Sequence, residues 1–257
     1  MHRVLFTIGP FTLYSYGFMV ALGFLLSTLL ILRNSRNFGI SREDVLDAVI
    51  AVLAAGIIGG RLLFVGINFE YFLRHPVRII FIHEGGLAIQ GAIVAAALTG
   101  FFVAKHKRLS FWRGADLISP YIALAQALGR IGCFLNGCCY GRVATEGFWA
   151  VTFPGEEVSR LPVQIYSSAG LLFIFILLLL LRKKRPFDGY LFALYLLLYS
   201  FFRFFMDFLR GDELVGWGML TLSQLISIGM FAAGGAILLF LWRSSKRTET
   251  TDPSHNE

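Results

Sequence analysis

The sequence predicts an all-α protein in which seven helices cross a membrane, and three observations carry that prediction. Hydrophobic residues make up 56% of the 257 residues and charged residues only 15%, which is too few charges to cover the surface of a water-soluble domain. The apolar residues fall into seven runs, each close to the roughly 20 residues that cross a bilayer as a helix. The basic residues concentrate in alternate connections, as expected of a polytopic protein.

The seven spans follow one another within one transmembrane domain, residues 1–243. We place them at about 14–32, 45–67, 87–104, 117–135, 165–181, 190–209 and 219–242. The first ten residues lack the basic start of a signal peptide, so we expect the first span to stay uncleaved. Ser41 precedes the second span as an N-cap candidate, with acidic Glu43 and Asp44 in the first turn. The polar residues 244–257 are typical of a disordered tail.

The distribution of Lys and Arg residues predicts the orientation of the chain. Fourteen of the 23 basic residues follow the first, third, fifth and seventh spans, six lie on the other side, and three lie inside spans. Cytoplasmic segments collect basic residues, so we expect the N-terminus outside and the C-terminus in the cytoplasm. Topology and contact with anionic lipids then explain the net charge of +7, and no nucleic-acid partner is needed.

The longest external connection joins the fourth and fifth spans over about residues 136–162. Loops of this length are often functional, so the segment is a candidate for receiving a peptide substrate. A solvated loop without a binding role fits its composition equally well.

Three arginines lie inside spans, where a central Arg costs about 2.5–3.5 kcal/mol. Arg61, Arg130 and Arg203 each fall in the last third of a span that runs outward, so we expect them at one depth in the outer half of the membrane. Three guanidiniums at one depth favour an anion site, most simply for phosphate. The alternative is that each side chain extends along its own helix to the interface. Asp207, one turn after Arg203, favours the shared site because the two side chains can pair, and Arg210 continues the same helix face.

Other polar residues are predicted to lie at the same depth in the membrane as the three arginines. Tyr16 begins the first span, Gln90 lies about one turn into the third, and Asn136 ends the fourth. An interfacial Tyr is usually a membrane anchor, and a helix start attracts anions through its free amides. Each signal is weak alone, and their common depth indicates one polar site.

Six motifs occur in order along nearly the whole chain. They are Tyr16-Gly17, Gly59-Gly60-Arg61, Gly85-Gly86-Leu87, the thirteen residues Gly129 to Gly141 (G-R-I-G-C-F-L-N-G-C-C-Y-G), Pro162-x-Gln164-x-Tyr166, and Arg203-x3-Asp207-x2-Arg210. This series resembles the motifs of the prolipoprotein diacylglyceryl transferase family, whose signature the thirteen-residue stretch is similar to.

The resemblance implies a bacterial enzyme that moves the diacylglyceryl group of phosphatidylglycerol to the lipobox cysteine of a prolipoprotein. The product is a thioether, glycerol phosphate is released, and the reaction is the first step of lipoprotein maturation. The implied partners are phosphatidylglycerol, the prolipoprotein signal peptide with its lipobox, and membrane lipids, with no cofactor and no metal. The implied location is the bacterial cytoplasmic (inner) membrane, with the active site toward the outer leaflet.

The resemblance also implies residue roles. Arg130 would bind the phosphatidylglycerol headgroup, and Arg203 would assist the departing glycerol phosphate. Such fixed positive groups can be the largest catalytic contribution in a dry site. The other catalytic candidates are Tyr16, Asn136 and Asp207, and the other substrate-binding candidates are Arg61, Gly86, Gln90, Gly141, Gln164, Tyr166 and Arg210.

The chain departs from the family pattern at positions that bear on proton transfer. The family commonly has His where this chain has Gln90, Glu at Cys138 and Asn at Cys133. The thiolate form of the substrate cysteine is the nucleophile, and Gln cannot accept its proton. His83, Asp207 and water remain the candidates for the base.

The three cysteines, Cys133, Cys138 and Cys139, all lie in the signature stretch. Cys133 and Cys138 can form a disulfide in an oxidising compartment, or all three are small packing residues, and their spacing is not one typical of metal sites. Two other functions stay open. A lipid-binding relative could keep the arginines and lose catalysis, and an organic-anion transporter would also bury arginines but favours repeats that the sequence lacks.

Overall fold

The computed structural model describes residues 2–9, 11–81, 85–144, 150–155, 157–210 and 220–251. Within that part of the chain, the prediction of seven helices long and apolar enough to cross a membrane is confirmed. The helices are α1 (Ser15–Asn34), α2 (Arg42–Ile67), a short α3 (Phe69–Arg74), α4 (Ile89–His106), α5 (Phe111–Asn136), α6 (Val163–Leu181), α7 (Tyr190–Asp207) and α8 (Leu222–Thr251). Two antiparallel hairpins accompany them, β1 (Val4–Ile8) with β2 (Phe11–Tyr14) and β3 (Val151–Thr152) with β4 (Ser159–Arg160).

The chain forms two compact units. One consists of Leu32–Gly114 and the other of the remaining residues. The side of the membrane on which each terminus lies stays a prediction.

In the unit Leu32–Gly114, α2 and α4 pack closely along their lengths. Gly59 and Gly91 face each other, and a Cβ added at Gly59 would lie 2.7 Å from the carbonyl oxygen of Gly91. Because neither residue has a side chain at this crossing, the two backbones meet directly. Ser41 caps α2 as predicted, since its hydroxyl accepts a hydrogen bond from the Asp44 amide at 3.0 Å.

At the opposite end of α4, Lys107 pairs with two carboxylates of α2. Its Nζ lies 2.8 Å from Asp44 and also contacts Asp47. Hydrogen bonds to Asp44 and then Asp47 raise the pKa of Lys107 above its ordinary value. The ion pairs therefore fix the α4 end against the start of α2.

In the other unit, α5 is the most buried of the long helices. Hydroxyl groups of neighbouring helices donate to its backbone carbonyls: Ser27 donates to the Tyr121 carbonyl at 2.9 Å, and Ser168 donates to the Ala127 carbonyl at 3.0 Å. Small residues between these contacts, such as Ala123, are fully buried. The helix that carries Arg130 is thus held by α1 on one side and α6 on another.

Asp116 of α5 performs a capping function that the sequence did not reveal. Its carboxylate is fully buried and accepts hydrogen bonds from the backbone amides of Gly189 at 2.8 Å and Phe192 at 2.9 Å. These amides open α7, and a carboxylate is favoured there because the first amides of a helix lack partners within it. The bond fixes the start of the helix that carries Arg203.

The N-terminal segment forms a hairpin that the sequence analysis did not predict. Strands β1 and β2 pair in an antiparallel register before α1 begins, and the Ser15 amide donates to the Arg3 carbonyl at 3.0 Å. The hairpin therefore leads directly into the turn that carries Tyr16.

Part of the connection between α5 and α6 packs against the end of α5. Phe153 is 1% exposed, and its ring lies 4.9 Å from that of Tyr140 and 6.0 Å from that of Phe134. The guanidinium of Arg160 stacks over the Tyr140 ring at 4.8 Å. This part of the loop therefore covers the end of α5, and its role in binding a peptide stays a prediction.

Helix α8 continues past Arg243, the predicted end of the transmembrane domain, as far as Thr251. Residues 252–257, the rest of the predicted tail, lie outside the described part of the chain.

Candidate active site

The structure brings three guanidiniums together at the ends of α5 and α7. Arg130 lies in the second-last turn of α5, Arg203 lies four residues before the end of α7, and Arg210 lies three residues after that end. The positive charges of Arg210 and Arg130 both act on Arg203. Arg130 and Arg210 therefore lie near Arg203 in this unit, and a shared anion site of Arg61, Arg130 and Arg203 stays a prediction.

Within the described part of the chain, the carboxylate of Asp207 accompanies the three arginines. Asp207 is 2% exposed, and its Oδ1 lies 3.2 Å from the Arg203 guanidinium, one helical turn away. Its Oδ2 accepts a hydrogen bond from the Thr221 hydroxyl. Asp207 is held by this ion pair and this hydrogen bond, so the geometry gives it the task of orienting Arg203.

Thr221 was missed by the sequence analysis, although a signal for it was present. Thr221 and Gln224 form a capping box at the start of α8: the Gln224 amide donates to the Thr221 hydroxyl oxygen at 3.1 Å, and the Thr221 amide donates to the Gln224 side chain at 2.9 Å. Because the Thr221 hydroxyl also reaches Asp207, the start of α8 is tied to the end of α7.

Gly141 joins three segments that carry site residues. Its amide donates to the Leu161 carbonyl at 2.8 Å, and the next amide, of Arg142, donates to the Leu209 carbonyl at 3.0 Å. A Cβ at Gly141 would lie 2.5 Å from the Leu209 carbonyl oxygen and 2.5 Å from a methyl group of Val163. Only glycine fits here, so Gly141 fixes the signature stretch against the end of α7 and the start of α6.

Gln164 and Tyr16 lie against the same stretch. Gln164 is fully buried and donates from Nε2 to the Cys138 carbonyl at 2.7 Å. Tyr16 packs over Gly132 of α5, where an added Cβ would lie 3.3 Å from the Tyr16 Cα, and the Arg130 charge acts on its phenol. The predicted residues Tyr16 and Gln164 thus border the arginine cluster.

Asn136 is the last residue of α5, and its amide contacts the Cys138 sulfur at 3.4 Å. Tyr166 lies in the first turn of α6, two residues after Gln164. The contacts of these two residues with a substrate stay predictions.

Arg61 lies in the unit Leu32–Gly114, where it is 7% exposed. Its Nε and two terminal nitrogens donate to five backbone carbonyls, of Arg78 (2.5 Å), Ile79 (2.8 Å), Phe81 (3.3 Å), Gly85 (2.7 Å) and Gly86 (2.9 Å). A guanidinium has five N–H groups, and here all of them are used within the chain. The geometry therefore gives Arg61 a role in holding the segment before α4, and its contact with a phosphate stays a prediction.

Gly86 allows this approach of the guanidinium. It has a φ of +80°, and a Cβ there would lie 2.8 Å from an Arg61 nitrogen. Gln90 is exposed and is the second residue of α4, and its place about one turn into the membrane stays a prediction. His83, the nearest histidine upstream, lies outside the described residues.

The three cysteines converge beside the arginines. Their sulfur atoms all lie within 4.8 Å of one another. A hydrogen bond from Cys133 lowers the pKa of the Cys139 thiol, and the positive charges of Arg130 and Arg210 contribute in the same direction. The sequence did not indicate this cluster, because the spacing of the three residues matches no common metal motif.

Comparison with known proteins decides the family. The model of the family described as prolipoprotein diacylglyceryl transferase matches residues 3–241. The chain belongs to this family.

Curated relatives agree with that assignment. A phosphatidylglycerol–prolipoprotein diacylglyceryl transferase of Bacillus cytotoxicus is 38% identical over 239 residues, which cover 90% of this chain and 88% of the relative. The proteins of the same name from Finegoldia magna and Clostridioides difficile are 37% and 36% identical, covering 91% and 96% of this chain and 93% and 97% of the relatives. The similarity therefore spans both units and all the motifs identified in the sequence.

Proposed function

We propose that this chain transfers the diacylglyceryl group of phosphatidylglycerol to the lipobox cysteine of a prolipoprotein. The thiolate sulfur attacks the glyceryl carbon that carries the phosphate, so a carbon–sulfur bond forms and the carbon–oxygen bond to phosphate breaks. Glycerol phosphate leaves with the bonding electron pair, and the product is a thioether. Gln90 has no basic group, so the thiol proton leaves to one of the three candidates His83, Asp207 and water.

The observation that carries this proposal is the cluster of Arg130, Arg203 and Arg210, beside which Asp207 supplies a carboxylate. Among the described residues of the cluster, positive charge exceeds negative charge, which favours an anionic group such as the phosphodiester of phosphatidylglycerol. Negative charge grows on the phosphate oxygens as glycerol phosphate leaves, and fixed guanidiniums stabilise that charge most strongly where water is excluded. Arg130 is assigned to the headgroup and Arg203 to the leaving phosphate.

The surrounding residues support the arrangement of this cluster. Gly141 and Gln164 fix the signature stretch, and Asp207 and Thr221 fix the end of α7. We assign Tyr16 and Asn136 to contacts with the reacting groups, and Gly86, Gln90, Tyr166 and Arg61 to substrate binding. We place the protein in the bacterial inner membrane with the N-terminus outside and the site toward the outer leaflet.

A phospholipid-binding protein without transferase activity is the alternative, and the residues Gln90 and Cys138 favour it because the family commonly has His and Glu there. The two functions share the arginine cluster. They differ in whether a thioether forms.

The test is incubation of the purified protein, in micelles containing phosphatidylglycerol, with a synthetic lipobox peptide. Mass spectrometry measures the diacylglyceryl peptide and the released glycerol phosphate. We expect adduct from the wild type and a loss of about 10²–10³-fold in Arg130→Ala, the effect of removing one group that stabilises transition-state charge. Arg74→Ala, at an exposed arginine of α3, is the matched control and should keep wild-type activity.

A Gln90→His variant separates the two functions. Adduct from the wild type shows that no histidine is required at position 90. If the wild type binds phosphatidylglycerol without forming adduct and Gln90→His restores the reaction, the chain is a binding protein that retains the lipid site. Equal activity of Arg130→Ala and Arg74→Ala would refute the assignment of Arg130.

A further inference from the structure

At its C-terminal end the chain of α5 turns back, so that Cys133 and Cys138, five positions apart in the sequence, come together. Gly137 has a φ of +70°, its amide donates to the Phe134 carbonyl at 3.1 Å, and the Cys138 amide donates to the Cys133 carbonyl at 3.1 Å. These two bonds and a left-handed glycine define a Schellman motif, in which the side chains at the positions of Cys133 and Cys138 come into contact. The motif explains why the sulfur atoms of Cys133 and Cys138 lie close together although the residues are five positions apart.

The next residue adds a third sulfur. Cys139 has a left-handed φ of +62°, and its sulfur lies 3.7 Å from that of Cys138. All three sulfur atoms lie within 4.8 Å of one another, and all three cysteines are free. Three thiols in one small volume form a set of soft ligands.

The sulfur spacing fits a metal ion. With a zinc–sulfur bond of about 2.3 Å, two sulfur ligands lie about 3.8 Å apart in tetrahedral geometry and about 4.0 Å apart in trigonal geometry. The sulfur atoms of Cys138 and Cys139 lie 3.7 Å apart, and no two of the three sulfurs are more than 4.8 Å apart. Small side-chain movements would therefore bring them to the distances of a metal site. We propose that Cys133, Cys138 and Cys139 form a binding site for a thiophilic metal ion such as Zn(II).

The surroundings suit a thiolate site. Cys139 is exposed, which gives an ion a path from solvent. The Asn136 amide contacts the Cys138 sulfur at 3.4 Å, the kind of outer contact that orients a ligand. Among the described residues, no His or carboxylate joins the three sulfurs, so the protein supplies three ligands and leaves a further position open.

Binding of Cd(II) tests the proposal, because cadmium thiolates absorb in the ultraviolet through sulfur-to-metal charge transfer. The full-length protein, reduced and purified through a tag without His or Cys, is titrated anaerobically after a thiol assay has counted three free thiols. We expect one equivalent of Cd(II) to produce the band and Zn(II) to displace it. Each single Cys→Ser variant should bind at least about tenfold more weakly, since each removes one ligand.

Cys→Ala variants at the same positions, with melting temperatures measured for every variant, show that the loss comes from ligands and not from unfolding. No band in a protein with three free thiols overturns the proposal. A band of equal intensity and affinity in Cys139→Ser overturns it as well.

The expected effect of a bound metal ion on activity rests on the proposed function. A divalent ion with three thiolates carries net negative charge beside Arg130, so the occupied site should weaken phosphate binding and slow adduct formation. Cadmium absorbance is independent of transferase activity, so the metal site and the proposed function can fail separately.

Discussion

The glycine contact between α2 and α4 gives a stability prediction that can be worked out from distances. A Cβ added at Gly91 would lie 2.6 Å from the Leu63 Cβ and would also overlap the Gly59 carbonyl oxygen. Optimal contacts between carbon atoms are about 3.5–4.0 Å, so the helices would have to separate by about 1 Å. The obstructing atoms are backbone or Cβ atoms, which cannot rotate away.

The expected cost of Gly91→Ala is about 1–3 kcal/mol, the usual range for overpacking. Gly66→Ala, in α2, is the matched control, because a Cβ there meets nothing within 4 Å. That substitution should stabilise the helix by up to about 1 kcal/mol through the higher helix propensity of Ala. A change of 1 kcal/mol corresponds to about 2–4 °C in a protein of this size, so Gly91→Ala should melt about 2–12 °C below the wild type.

The assay is thermal unfolding in detergent micelles, followed by far-ultraviolet circular dichroism. Equal melting temperatures for Gly91→Ala and Gly66→Ala would refute the close packing of α2 on α4. A wild-type melting temperature for Gly91→Ala would refute it as well.

Three further predictions concern other contacts. Gly141→Ala should reduce adduct formation about tenfold or more because its Cβ would overlap the Leu209 carbonyl and displace the arginines; an unchanged rate would contradict this. Asp116→Ala should cost about 1–2 kcal/mol, as the loss of a cap does, and thermal unfolding measures it; no change would mean that the α7 amides find other partners. The raised pKa of Lys107 means that its pairing with Asp44 stabilises the protein at neutral pH and that this contribution is lost as pH rises through the raised pKa. Lys107→Met should therefore lower the melting temperature at pH 7, and its difference from wild type should shrink only in strongly alkaline solution.

The spans were predictable because each depends on local composition. A run of about 20 apolar residues has few alternatives to a transmembrane helix, and the helices observed begin or end within a few residues of most predicted spans. The fourth span shows the limit, since α5 begins at Phe111, well before the predicted start at residue 117. Its first turns contain Arg113 and Asp116, and Asp116 is tolerated there because it caps α7.

The arginine cluster was predictable in part. The i,i+4 relation of Arg203 and Asp207 follows from helix geometry alone, and the structure shows that pair. The environment of Arg61 did not follow, because its five acceptors are backbone carbonyls of a segment whose path depends on tertiary packing. Sequence patterns describe side chains, and they do not show where main-chain carbonyls will lie.

The membrane class, the seven spans and the family follow from the sequence, because hydrophobic length and a contiguous motif are local properties of the chain. The engagement of Arg61 by backbone carbonyls and the meeting of three cysteines are visible only in the folded chain. Each of these results depends on a turn or a helix crossing that brings distant atoms within a few ångströms. Glycines at those points permit the approach, and their neighbours in space cannot be read from their neighbours in sequence.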